Sequence, residues 1–350
     1  MGNFNVLASS IKKHGLLKYR RVHWRSSKYF PVNISPGGRP RLDRRAPNDY
    51  STFKKPGIMD MKSVNKTMVE SAIKLAKEVK AGCVLLCVDV RGELAELSED
   101  ERKSVRFVFV MRESEELPEK LLPTAKKLEL PDVNLTRVGK IKIAIAKGIV
   151  SGLFKKGDRI VCLSGVPKFG YADSIFFIDV GREFEILTSD DISDVVDSVQ
   201  PEVFNAALNI ACELAAQGRE TRKVGTIFVL GDDEKVMQLS RQMIINPFKG
   251  YSEEQRNILN PELEETIKEL SAIDGAFIIK ANGAIVTAGR HLSAALDSKD
   301  FPSGLGSRHI AAAGITNVTN AVAMVISQSS GNVSIFKNGK LFVTIEKPVE

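Results

Sequence analysis

The chain has 350 residues, of which 43% are apolar and 27% charged, with 50 Lys+Arg against 43 Asp+Glu. This composition excludes wholesale disorder and collagen-like repetition. No run approaches the ~18 apolar residues of a membrane span, and the start lacks a signal-peptide core. Four scattered cysteines, Cys83, Cys87, Cys162 and Cys212, exclude a disulfide scaffold. The reading is a cytoplasmic protein of two α/β domains.

The basic charge sits at one end. Residues 1–60 hold 13 Lys+Arg and 3 Asp+Glu, while the remainder is slightly acidic. That undercuts any argument for nucleic-acid binding by the body. The first 60 residues contain Ser-Pro-Gly-Gly-Arg-Pro at 35–40 and no sustained period, so they read as a disordered basic tail. A nucleic-acid-binding or targeting tail is the alternative, as is a true start at Met59 or Met61.

Residues 62–80 form an amphipathic helix pattern, with Val64, Met68, Ala72, Leu75, Ala76 and Val79 on one face. Cys83–Val88 and Arg106–Met111 read as buried strands, and 115–128 as a helix interrupted by Pro123. Lys140–Lys147, Ile160–Leu163 and Ser174–Val180 read as further strands. Strands interspersed with helices predict an α/β domain over residues 61–188. Its Gly148…Leu153-Phe154-Lys155-Lys156-Gly157-Asp158 run, followed by Ile160-Val161-Cys162-Leu163-Ser164-Gly165-Val166-Pro167 and Ala172-Asp173-Ser174-Ile175-Phe176-Phe177, resembles the C-terminal domain of pyruvate kinase. The resemblance implies a fold and not that activity, because the catalytic barrel is missing.

The polar stretch 188–200 marks a boundary. Pro201 suits the first turn of a helix whose apolar residues, Phe204 to Leu214, recur at helical spacing. Val224–Leu230 reads as a buried strand and Glu234–Ile244 as a helix; Asn260-Pro261 caps another helix that ends near Ala272. Strands follow at Ala276–Lys280 and Ala284–Thr287 across Asn282-Gly283, and 309–315 is helix or loop. Ala321–Ser327 is a strand, and Lys337-Asn338-Gly339-Lys340 turns a hairpin between Val333–Phe336 and Leu341–Ile345. The second α/β domain therefore spans 200–350.

Chemistry gathers in this second half. Asp274-Gly275-Ala276 lies between a helix and a strand; Arg290-His291, Gly304-Leu305-Gly306-Ser307-Arg308-His309 and Ser327-Gln328-Ser329-Ser330-Gly331 follow. Glycines at 304 and 306 allow close backbone approach to an anion. Ser307 can hydrogen-bond a phosphate oxygen, Arg308 can do so bidentately, and Asp274 offers oxygens to Mg²⁺ or Mn²⁺. The set fits phosphate chemistry without a P-loop, dinucleotide fingerprint or zinc-ligand cluster. The competing readings are a plain helix-to-strand turn at Asp274, a surface loop at 304–306 and a role-free His291. Cys83, Cys87, Phe277 and Phe336 read as core.

The pair Ala272-Ile273-Asp274-Gly275-Ala276 and Gly306-Ser307-Arg308-His309-Ile310 resembles the two signature motifs of the diadenylate cyclases. Gly218-Arg219-Glu220, Val224–Asp232, Asn246–Gly250 and Gly289-Arg290-His291-Leu292 match as well. With its first domain, the chain resembles the archaeal soluble type. The resemblance implies that two ATP become cyclic di-AMP and two pyrophosphates, with Mg²⁺ or Mn²⁺, in a face-to-face pair of domains within at least a dimer. It also implies Asp274 as metal ligand and catalytic acid, with Arg308 and His309 gripping phosphates. Gly275, Ala276, Leu292, Gly306, Ser307 and Ser327 would line the ATP site.

Three positions depart from the family pattern: Ile310 replaces a second arginine, Gln328 a carboxylate and Ser307 a threonine. They imply retained activity with altered metal preference. A nucleotide-binding regulatory module that has lost turnover is the alternative, ahead of nucleic-acid binding through the tail and of an ordinary pyruvate kinase.

Overall fold

The computed structural model describes residues 60–112, 115–117, 125–166, 169–182, 198–217, 223–294 and 306–347. Nearly all of the basic stretch lies outside these residues, as do Pro123, Pro167, most of the 188–200 boundary, Gly218–Glu220, Gly304 and Leu305. Residues Ile58–Glu350 form one compact unit built on two sheets.

Helix α1 (Met61–Glu78) starts at Asp60, whose side chain accepts from the Lys62 amide at 3.1 Å. It buries Val69, Ala72, Ile73 and Ala76, so the predicted face is rotated slightly and Val64, Met68, Leu75 and Val79 lie at its edges. The first sheet holds β1 (Cys83–Leu86), β2 (Phe107–Arg112), β3 (Ala125–Leu130), β4 (Arg159–Ser164) and β5 (Ser174–Asp179) in the order β3-β2-β1-β4-β5. Its first four strands are parallel and β5 runs antiparallel to β4. The short helices α2 (Arg91–Glu96) and α3 (Glu99–Lys103) link β1 to β2.

Two predicted elements of this half are corrected. Residues 125–128 belong to strand β3 and not to a helix; they pair in register with β2 from Ala125 to Leu130, and Ala-Lys-Lys-Leu-Glu-Leu suits a sheet edge. Lys140–Lys147 is not a strand but the middle of helix α4 (Arg137–Val150), capped by Thr136 through the Gly139 amide. Residues Ile141 to Val150 are all buried. A helix covered on every side loses the polar stripe that marks helical period, and its Lys-Ile-Lys-Ile-Ala-Ile-Ala run then imitates alternation.

The second half opens with α5 (Pro201–Gln217). Its sheet has the order β12-β11-β10-β6-β8-β9-β7, with β6 (Thr226–Leu230) and β8 (Ala276–Ile279) parallel and all other neighbours antiparallel. The predicted helix 234–244 is shorter: α6 (Asp233–Gln238) gives way to strand β7 (Ser240–Gln242), which pairs with β9 (Ile285–Leu292). Asn260 caps a 3₁₀ turn at Pro261–Leu263, which leads into α7 (Glu264–Leu270). Helix α8 (Ser307–Val318) precedes β10 (Val322–Ile326), β11 (Val333–Lys337) and β12 (Lys340–Ile345). The last two strands turn at Asn338 and Gly339, with φ of 50° and 74°, as a tight hairpin of this sequence requires.

The layers run α1, first sheet, α4 with α5, second sheet, α8. One face of the first sheet packs on α1 through Val84, Leu86, Phe107 and Phe109. The other face joins a single apolar cluster with α4, α5 and the near face of the second sheet, from Leu85 and Ile160 through Ile145 and Phe204 to Phe228 and Met324. Ile227, Val229 and Val325 pack on Ala312, Ala313 and Ile315 of α8. Among the described residues no helix is long and apolar enough to cross a membrane.

Candidate active site

The carboxyl end of β10 and the start of α8 frame a cleft of about 570 Å³. Gly306, Ser307, Arg308 and His309 line one side and Ser327, Gln328, Ser329 and Ser330 the other. Gly306 precedes the helix and has no side chain to cap it, so the first turn of α8 presents its amide end to the cleft.

Arg308 joins the two sequence motifs. Its Nη2 donates to Asp274 Oδ1 at 2.7 Å across 34 residues of sequence. Asp274 is 78% exposed and Arg308 29%, so the acid faces solution while the guanidinium is half-sheltered. Gly225 makes room for this arrangement: a Cβ there would lie 2.8 Å from Gln328 Cβ and 3.0 Å from Arg308 Nη1.

The acid stands on an unusual stretch of backbone. Gly275 has a φ of +116°, and a Cβ on it would come within 2.8 Å of the Arg290 amide nitrogen and the Gly289 backbone. Its carbonyl accepts from Thr226 Oγ1 at 3.1 Å. Asp274 is thus fixed where β8 begins between β6 and β9.

His309 is buried and sits edge-on to Phe336, with ring centroids 6.0 Å apart. Burial holds its pKa below the ordinary 6.5. Burial thus favours the neutral imidazole, which can contact a phosphate through a hydrogen bond. Ser327 is also buried; its hydroxyl lies 3.3 Å from that of Ser329 and accepts from the Ser330 amide at 3.4 Å.

Other predicted residues fall elsewhere. Asp274, Gly275, Ala276 and Leu292 do not line this cleft; Asp274 is tied to it through Arg308, Ala276 begins β8, and Leu292 ends β9 opposite Ser240. Arg290 is buried and donates to Ser240 Oγ at 2.8 Å, the Met237 carbonyl at 2.9 Å and Gln242 Oε1 at 3.2 Å. It ties α6 and β7 to β9. His291 is exposed beside Ser293. All four cysteines are buried, and burial pushes the Cys83 thiol up to about 11, as expected of core thiols. Sequence reading missed Gly225, Asn332, Ser334 and Thr344 at the site; the last three line the cleft from β11, β12 and the loop before them.

The chemistry of the donors suits a metal that arrives with its ligand. Among the described residues no three His, Cys, Asp or Glu could enclose an ion. Asp274 offers a single open carboxylate, which fits Mg²⁺ or Mn²⁺ shared with phosphates and water.

The family described as "DisA bacterial checkpoint controller nucleotide-binding" matches residues 213–341, and the one described as "Probable sensor domain DacZ_P" matches residues 64–188. A diadenylate cyclase of Haloferax volcanii is 32% identical over 229 residues, covering 65% of this chain and 83% of the relative. The chain belongs to the diadenylate cyclase family. A second diadenylate cyclase, from Methanocaldococcus jannaschii, is 41% identical over 202 residues, or 56% of this chain and 64% of that one, a little under two thirds of its length. A pyruvate kinase from Cryptosporidium parvum overlaps 33% of the chain and 22% of its own at a TM-score of 0.27 and 19% identity, a slight likeness. In this diadenylate cyclase family member, the Asp274–Arg308 pair lies inside the residues matched by the cyclase family.

Proposed function

We propose that the protein condenses two ATP into cyclic di-AMP and two pyrophosphates, in a face-to-face pair of its second α/β units. The observation that bears most on this reading is the Arg308–Asp274 contact, which joins the Asp274 motif to an arginine that lines the cleft. The names of the curated relatives support the same reaction. The working units are residues 61–188, with a regulatory part, and 200–350, with the catalytic one.

In the reaction each ATP 3′-hydroxyl oxygen forms a bond to the α-phosphorus of the other nucleotide. The bond from that phosphorus to the bridging oxygen breaks, and pyrophosphate leaves with its electron pair. Such in-line transfer depends on positioning and charge stabilisation more than on covalent help. Arg308, Ser307 and the amide end of α8 bind phosphate oxygens, and His309 adds a neutral hydrogen bond. With Arg308 engaged by phosphate, Asp274 would be the residue to hold Mg²⁺ or Mn²⁺ and to accept from the attacking hydroxyl. The metal supplies charge compensation on the phosphates. One cleft holds one nucleotide, so ring closure needs a second copy of the chain.

The test is mass spectrometry of the products formed from ATP with Mg²⁺ or Mn²⁺, with Asp274→Asn and Arg308→Ala alongside. The native protein yields cyclic di-AMP, and each variant loses at least about 10²-fold in rate. A folded, self-associating protein that binds ATP without product would overturn this reading. It would favour a nucleotide-binding regulatory protein, for which Ile310 and Gln328 are the supporting positions.

A further inference from the structure

The first sheet contains a cavity that the cyclase chemistry does not use. Strand order reverses at β1, which has β2 and β3 on one side and β4 and β5 on the other. Chains leaving parallel strands at such a reversal diverge, and crevices at their carboxyl ends are where open α/β sheets bind ligands. Here the crevice measures about 520 Å³, the size of a small-molecule site. The ends of all four parallel strands contribute to it, among them Val88, Met111, Leu130 and Gly165.

Its charges are unequally matched. Arg91 is spent on Asp89, at 2.9 and 2.8 Å, and on the Glu116 carbonyl at 2.8 Å. Arg112 is 2.7 Å from Asp132. No ion pair joins Lys140, in the first turn of α4, to a carboxylate among the described residues, although Glu115 also lines the cavity and acts on it at longer range. Among the described residues the Lys140 Nζ makes one hydrogen bond, a long one of 3.4 Å to the Cys87 carbonyl. Burial lowers its pKa, as befits an ammonium short of compensation. Apart from Asn134, the remaining side chains of the wall are apolar, among them Val88, Phe109, Met111 and Val133.

We propose that this cavity binds a small organic anion, its phosphate or carboxylate seated on Lys140 and its carbon body against Val88, Met111 and Val133. The site is separate from the cleft at Arg308, with which it shares no lining residue. The full chain is titrated with glucose 6-phosphate, citrate, inorganic phosphate and, as neutral control, glucose, at constant ionic strength. Binding is read by thermal midpoint and by calorimetry.

One of the two organic anions raises the midpoint by about 2–4 °C or more, and which one does so identifies the headgroup as phosphate or carboxylate. The shift disappears in Lys140→Met, persists in Lys140→Arg and persists in Arg308→Ala. The proposal fails if neither organic anion exceeds glucose, if Lys140→Met binds as well as the native chain, or if Arg308→Ala abolishes the shift. It also fails if inorganic phosphate binds as tightly as glucose 6-phosphate and citrate does not bind, because the carbon body would then contribute nothing.

Discussion

Gly275 shows how one residue fixes the position of an acid. Its φ of +116° and the 2.8 Å approach of the Arg290 nitrogen leave no room for a Cβ. Gly275→Ala adds backbone strain of about 1–3 kcal/mol and a clash with β9 of similar size. Urea unfolding should therefore register a loss of about 2–5 kcal/mol, with cyclase activity falling in step as Asp274 shifts. A variant within about 0.5 kcal/mol of native, the usual range for a surface change, would show that the backbone there adapts freely. At this scale the sequence was informative about residue types: Asp274-Gly275-Ala276 and Gly306-Ser307-Arg308-His309 stand out as motifs. It was silent on their meeting, because no local period encodes a contact across 34 residues. Gly225 stood within the matching Val224–Asp232 block, but its role was invisible for the same reason, since it exists only where Arg308 and Gln328 converge.

Helix α4 is the element whose sequence misleads most and whose position matters most. It lies between the two sheets and carries two lysines into that layer. Lys142 is paired with Glu346 at 2.6 Å. Lys147 instead donates to the Glu129 carbonyl at 2.7 Å and to Asn209 Oδ1 on α5 at 2.9 Å. With no carboxylate bonded to it among the described residues, burial pulls its pKa down to about 8. An unfolded lysine titrates near 10.4, so between these values the unfolded chain binds more protons and this residue's contribution to stability rises with pH. The stability of native protein minus that of Lys147→Met should climb from pH 8 to pH 10, as read from urea midpoints. A flat difference would mean that Lys147 stays charged in the fold. Long amphipathic helices such as α1 and α5 were legible because water touches one side. Helix α4 and strand β3 were not, because complete burial erased the helical stripe in one and an edge position blurred the strand pattern in the other.

Across the whole molecule, the two sheets share one apolar cluster through α4 and α5. Small single cores unfold as cooperative units, and a continuous core extends that behaviour to both halves. Far-ultraviolet circular dichroism should show one unfolding transition, with the amides of β1 and β4 and those of β6 and β10 reaching the same limit in hydrogen exchange. A first sheet that opens at distinctly lower denaturant would contradict a common core.

The layer between the sheets also decides how this chain can be cut. A fragment starting near Pro201 would keep α5 and the second sheet but lose the apolar residues that α4 adds to the shared cluster, Ile141 to Val150, and so bare the side of α5 that carries Asn209 and the buried Cys212. Exposed apolar faces of this kind drive aggregation. The cyclase half is therefore not a cassette to be excised and joined to another partner. Any recombination that replaced residues 61–188 would have to supply a new α4, with an apolar face for α5 and a cation for Glu346.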